Sequence, residues 1–337
     1  MKLASPPGTI LDNNGAPQFG MYGGAIPDVD LDRARVEGFP GPLGRLRLKQ
    51  WEHWLVVHPE IAVSLAIVDA AITKLVWVQV IDRKTGGRWE HRREGPLMRA
   101  RTARSLYDEY ARGGASGLFV DIHDHLDANE HVLTARGTSK GLPDVALDLT
   151  ADCKPGTQPL AVVLPVGRGR AMYSHKVPLP VRGTIDVGAC RYTLNPAECT
   201  AVLDVHKAHY PRDTWWNWAT AVGFDSRGRR IAFNLTANVV TDSALHENVV
   251  WIDGHAILVG APVFEMKGDA WSVRTADGAV DVVFDAQGER GEELNYVVIQ
   301  SNFRQRYGTF RGTVRVGGEQ ITLSDAFGLF EDHRARW

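Results

Sequence analysis

Cysteine is scarce: Cys153, Cys190 and Cys199 are the only three in a chain of 337 residues. An odd number with neither metal-type nor redox spacing argues against a disulfide-stapled scaffold or a dithiol redox centre. Charge of one sign is not in excess either. Lys and Arg total 38 against 40 Asp and Glu, a formal net charge of −2, which leaves no electrostatic footprint for nucleic acid or an anionic membrane. The local basic runs at 91–95 and 227–230 sit beside glycines and read as solvated hairpin ends. No run approaches the ~20 apolar residues that span a bilayer; the longest apolar stretch, IAVSLAIVDAAI at 61–72, is short and carries Asp69. The opening MKLASPPGTILDNNGAP lacks the apolar centre of a signal peptide, so a soluble, cytoplasmic protein is expected. A Gly-x-Ser-x-Gly elbow is absent, and GRGR at 167–170 is too poor in glycine to cradle phosphate. No cofactor is expected.

Turn residues are plentiful. Gly (34) and Pro (17) cut the chain into short segments, which favours β structure over helical bundles. WEHWLVVH, IAVSLAIVDA and KLVWVQVIDR follow one another as strand-like runs, and VWVQVID at 76–82 has both the branched residues and the alternation of a strand. DSRGR, IDGH, TADG and VGGE supply hairpin chemistry in the second half. One segment, PLMRARTARSLYDEYARGG at 96–114, carries helix formers before a glycine stop and predicts a short helix. The expected architecture is all-β: an extended arm over 1–44, a first barrel over 45–178 and a second over 179–337, with few helices and the break at KVPLPVRG.

Several constellations could carry chemistry. In LDVHKAHYPRDTWWNWA, Asp204 and His206 stand two residues apart and share one strand face. A carboxylate beside an imidazole fixes the ring's tautomer and raises its basicity, as a general acid or base requires. Trp215, Trp216 and Trp218 would exclude water around them, with Asn217 facing opposite to Trp216 and Trp218. The same residues would serve equally well as an Asp–His pair at a barrel rim with tryptophans in the core. At the C-terminus, Glu331 and His333 in FGLFEDHRARW share one face, Asp332 and Arg334 the other, and Trp337 is expected to dock. Salt bridges closing a barrel would use the same pattern. Asn234, Glu247 and Asn302 interrupt apolar runs and need hydrogen bonds if buried; converging in one cavity, they would make a polar patch in an apolar site. His175 and Lys176 sit at the expected junction, where pockets often form.

A metal reading rests on GLFVDIHDHLDANEHVLTARG. The spacing of Gly117, His123, His125, Glu130 and Gly137 matches the first metal-binding motif of cupins, and two alternating histidines with a glutamate on the return strand can form a three-ligand face. The second cupin motif is missing: Arg170 stands where its histidine belongs.

Taken together, RLKQWEHWLVVHPEIAVSLAIVDA, HKVPLPVRG, HYPRDTWWNWA, AFNLT, ENVVWIDG and FGLFEDHRARW resemble a broad bacterial family recorded as a domain of unknown function, from about residue 45 onward. That family is in turn distantly similar to tandem lipocalin-like proteins that include carotenoid 1,2-hydratase (hydroxyneurosporene synthase) and lipocalin-like cyclases. The resemblance implies two calycin-type barrels with a hydrophobic cavity between or within them. It also implies protonation of an isolated alkene by a carboxylic acid, with aromatic walls around the resulting cation. Asp204 or Glu331 would be the acid and His206 or His333 its proton partner, roles that come from the residues and not from a matched hydratase motif. The expected function is therefore binding of an apolar, terpenoid or lipid-like molecule with cofactor-independent hydration or isomerisation of a C=C bond. A non-catalytic lipid carrier is the opposing class, and a metal enzyme using His123, His125 and Glu130 the third. Each of the first two needs a hollow, expected within the second half of the chain.

Overall fold

VWVQVID shows locally why this chain builds sheets. Branched side chains at alternate positions stiffen an extended backbone and leave one apolar face to bury, and Val76, Val78 and Val80 are fully buried. The computed structural model describes residues 3–36, 41–154, 156–240, 242, 244–295 and 300–336; Trp337 lies outside them. The described chain is all-β, two curled antiparallel sheets forming a tandem of lipocalin-like barrels. Its helical segments are two short 3₁₀ turns, Gly41–Arg47 and Leu126–Ala128.

The first sheet runs Arg88–Gly95, Lys74–Asp82, Ile61–Asp69, Leu48–Val57, Thr200–His209, Ala171–Val187, Val145–Asp152, Glu130–Gly137, Leu118–His125, Glu109–Ala115, Arg99–Arg101. In the N-terminal segment, Gly20–Tyr22 pairs with Leu160–Pro165 beside it. The second sheet runs His255–Leu258, Val249–Ile252, Arg230–Ala237, Asp213–Phe224, Glu319–Arg336, Gln300–Val316, Val280–Asn295, Ala270–Thr275, Pro262–Lys267. Residues 178 and 179, where the expected division fell, lie inside the continuous strand Ala171–Val187, and the chain passes from one sheet to the other between His209 and Asp213. The helix expected over 96–114 is not formed. Arg99–Arg101 and Glu109–Ala115 are strands there, and the added Cβ of a larger residue at Gly113 would lie 2.6 Å from Val76 Cγ2. Close packing against the sheet overrides local helix propensity.

Three apolar clusters follow from strand alternation. One fills the first barrel, with Trp54, Leu65, Val78, Leu147 and Leu179. Another fills the second, with Phe233, Trp271, Phe284, Phe310 and Phe330; Phe310 lies 4.6 Å from Phe284 and 5.0 Å from Phe233 between ring centroids. The third lies between the sheets, where Leu55, Leu164, Met172, Trp216, Trp251 and Phe327 meet. This arrangement corrects the expected hollow: the second barrel's interior is packed with aromatic rings, and the open space lies between the two sheets. Gly328 marks how close the strands come, since a Cβ there would meet the Thr220 carbonyl oxygen and Ala221. Gly328→Ala is expected to cost about 1–3 kcal/mol by overpacking, read as a lowered urea midpoint at unchanged slope.

Candidate functional site between the two sheets

Where the apolar seam opens toward one end, it leaves a cavity of about 270 Å³. The first sheet contributes Trp51 and His53 from Leu48–Val57, Lys176 from Ala171–Val187, and Asp204 and His206 from Thr200–His209. The second contributes Trp216 and Trp218 from Asp213–Phe224, Gln305 from Gln300–Val316, and Glu331 and His333 from Glu319–Arg336. Where a strand supplies a pair (Trp51 and His53, Asp204 and His206, Trp216 and Trp218, Glu331 and His333), its members are two apart, so one pleat face supplies both. Register completes the wall: Trp216 pairs with His333 and Trp218 with Glu331.

Asp204 and His206 share the face, as their spacing predicts, but they are not each other's partners. Asp204 Oδ2 is 2.7 Å from Lys176 Nζ, and Glu247 Oε2 is 3.8 Å from the same ammonium. Burial opposes the charge on Lys176, yet Asp204 and Glu247 outweigh it and raise its pKa. Thr236 Oγ1 donates to Glu247 Oε1 at 2.7 Å. His206 stacks on Trp51, centroids 4.0 Å apart, and its Nε2 lies 2.6 Å from the Tyr210 hydroxyl. Burial, helped by Lys176, holds His206 well below the usual imidazole range, and burial pushes the Tyr210 phenol up.

Glu331 occupies a different environment. Trp216 Nε1 donates to its Oε1 at 2.7 Å and Gln305 Nε2 to its Oε2 at 2.8 Å. Burial nonetheless pushes this carboxyl up to about 7, against those two donors and Arg290. His333 Nδ1 stands 4.0 Å from Glu331 Oε1, and its Nε2 is 2.9 Å from Ser301 Oγ. Burial lowers His333 to about 3, so the ring is neutral at pH 7. His53, held at 3.0 Å by Ser64 Oγ, is likewise lowered to about 3 by burial, Lys176 and Arg290. The site thus offers three neutral imidazoles, one carboxyl poised near neutrality and one compensated ion cluster, all against indole rings.

The remaining expected residues are dispersed. Asn234 does not line the cavity; its Oδ1 accepts from Trp218 Nε1 at 2.7 Å and its Nδ2 donates to the Glu247 carbonyl at 2.8 Å, fixing both neighbours. Asn217 faces away, as alternation requires, donating to Asp332 Oδ1 at 3.0 Å and accepting from Asn238 at 2.8 Å. Trp215 is 42% exposed, and with Asn302 it lines a wider, open groove of about 500 Å³ bordered by Asp213, Glu293, Arg334 and Arg336. That groove is larger but lies on the outer, charged side. His175 points into the first barrel, opposite to Lys176, and is fully buried there. Glu130 is held by Arg182 at 3.4 Å, which also meets Asp152 at 3.2 Å.

Sequence reasoning missed Trp51, His53, Trp77, Tyr210, Arg290 and Gln305, all of which line the cavity. The alternation in KQWEHW placed Trp51 and His53 on one face, but nothing local says what that face meets. Arg290 is 6% exposed; its guanidinium lies 4.3 Å from the Trp77 ring centroid and 3.1 Å from Glu90.

Among solved structures, that of CghA with Sch210972 aligns with a TM-score of 0.50 at 10% identity, covering 95% of this chain and 99% of that one. Kievitone hydratase from Nectria haematococca aligns at 0.49 with 10% identity, over 86% and 88% of the two chains. A putative AttH from Nitrosomonas europaea aligns at 0.45 with 14% identity, over 91% and 98%. At such identities it is the fold that is shared. No curated protein matches the sequence. The profile that does match extends over residues 2–337, and by it the chain belongs to the family described as Domain of unknown function (DUF2804).

Proposed function

We propose that the protein binds an apolar, terpenoid or lipid-like molecule in the inter-sheet cavity and hydrates or isomerises one of its C=C bonds by cofactor-independent acid–base chemistry. The observation that carries this reading is Glu331: a carboxyl buried among aromatic rings, raised to about 7, inside a cavity. A general acid works best with its pKa near the working pH. Asp204 is the weaker candidate, being tied to Lys176 at 2.7 Å. CghA, which aligns at a TM-score of 0.50, was solved with Sch210972, and this supports ligand binding by this fold.

In the hydration, the Glu331 O–H bond breaks and its proton forms a C–H bond at one alkene carbon with the π electrons. The cation left on the neighbouring carbon faces the rings of Trp216, Trp218 and Trp51, whose π faces stabilise positive charge. A water oxygen then forms the C–O bond. Its surplus proton passes to neutral His333, 4.0 Å from Glu331 Oε1, and from there returns to the carboxylate. Alkene and water give an alcohol, with no net change in the protein. In an isomerisation, the base takes a proton from the adjacent carbon instead.

A carrier without turnover is favoured by one feature: both Glu331 oxygens already accept hydrogen bonds, as a structural carboxyl would. Native mass spectrometry of protein isolated from its own host tests the shared part of both readings. One apolar molecule per chain is expected, and its absence counts against both. Trp216→Ala is expected to weaken that molecule's binding by at least about tenfold, as for an aromatic anchor; unchanged affinity in a ligand titration would remove the indole wall from the site.

A further inference from the structure

The histidine-rich strand that plays no part in this chemistry has its own geometry. In Leu118–His125 the even-numbered residues are buried, while His123 and His125 lie half-buried on the outer face of the first barrel. Neither lines the inter-sheet cavity. Antiparallel pairing brings Tyr110 opposite His123, and Asp108 precedes Tyr110 by two residues, so its carboxylate reaches the same outer patch. Asp108 Oδ1 is 2.8 Å from His123 Nε2. The rings stack in order: Arg112 lies 3.9 Å over Tyr110, Tyr110 is 4.1 Å from His123 at 6°, and His123 is 4.5 Å from His125 at 17°. Among the described residues, the ring nitrogens of His125 have no hydrogen-bond partner.

We propose that Asp108, His123 and His125 bind one divalent transition-metal ion, with zinc as the reference case. Their ligand atoms all lie within 4.8 Å of one another. Tetrahedral zinc, with ligands at 2.0–2.2 Å, needs them about 3.3 Å apart and in the plane of each ring, so the His123–His125 stack opens by χ rotation as the set closes on the ion. Two imidazoles and one carboxylate select zinc, copper, nickel or cobalt over magnesium or calcium, and three protein ligands leave a position for water. Binding replaces the Asp108–His123 hydrogen bond with bonds from both side chains to the ion. The third ligand is thus Asp108, just before the strand Glu109–Ala115, and not Glu130, which Arg182 engages.

Calorimetric titration of the metal-free full chain with zinc chloride tests this, with cobalt absorption as an independent readout of nitrogen–oxygen coordination. One saturable site is expected, weakened more than about 100-fold by His123→Ala or His125→Ala, since even outer partners of metal ligands are worth 10–100-fold. Glu130→Ala should leave affinity unchanged. All three positions are at least partly exposed, so each variant is expected to keep the wild-type circular dichroism. No saturable binding at millimolar zinc, or equal binding by the histidine variants, overturns the site. Loss of binding in Glu130→Ala overturns the ligand set.

Discussion

Glu331→Gln is expected to reduce turnover of the molecule recovered with the protein by about 10²–10⁴-fold, the usual contribution of a positioned acid, while its affinity stays within a few-fold. The amide keeps the size of the carboxyl and can still accept from Trp216 at Oε1, but it has no proton to give. The wild-type rate should fall as pH rises through about 7, where the carboxyl loses its proton, and steady-state rates across that range would show the limb vanish in the variant. Stability supplies a second, activity-independent signature. The folded pKa of about 7 lies above the ordinary glutamate value of 4.5, so the stabilisation from this group is complete below the unfolded pKa and is lost as pH rises through the folded one. Glu331→Gln removes that dependence, and should gain stability relative to wild type as pH rises from about 4.5 to about 7, with no further gain above 7. A variant with wild-type turnover would assign Glu331 a structural role and leave the carrier reading.

Lys176→Met is expected to destabilise the fold by about 3–5 kcal/mol, because removing one member of a buried ion cluster leaves uncompensated charge. Asp204 and Glu247 would remain 5% and 4% exposed with no cation between them. Lys176→Met combined with Asp204→Leu should recover part of the loss, since it removes one of the two carboxylates left without their cation. Denaturant unfolding of the single and double variants reads both effects. A loss below about 1 kcal/mol, the usual worth of an exposed pair, would mean that water reaches the cluster.

Much of this was legible one strand at a time. Period-two alternation identified Leu48–Val57, Ile61–Asp69 and Lys74–Asp82 as strands, and it separated Trp216 and Trp218 from Asn217 with no knowledge of the fold. It also put Glu331 with His333, and Asp204 with His206, on shared faces. Alternation cannot say what a face meets. The cavity is made by packing two sheets from different halves of the chain, so Trp51 and His53 join Glu331 through a long-range contact with no local signal. The same limit led to the wrong location of the hollow: aromatic strands read alike whether they line a cavity or fill a core, and Phe284, Phe310 and Phe330 fill one. The helix expected over 96–114 failed because local propensity is weak against sheet packing. Alternation put His123 and His125 on one outer face, while the carboxylate that meets His123 is Asp108, just before the preceding strand, where spacing within a single hairpin gives no guide.

The central claim concerns one carboxyl in an apolar cavity, and carboxyl-carbon NMR of the chain labelled at glutamate, titrated with and without the Glu331→Gln substitution, measures it directly. The account predicts one resonance, missing from the variant, that titrates near 7. If the resonance lost in the variant instead titrates at the ordinary glutamate value near 4.5, the carboxyl is solvated and the acid–base proposal is contradicted.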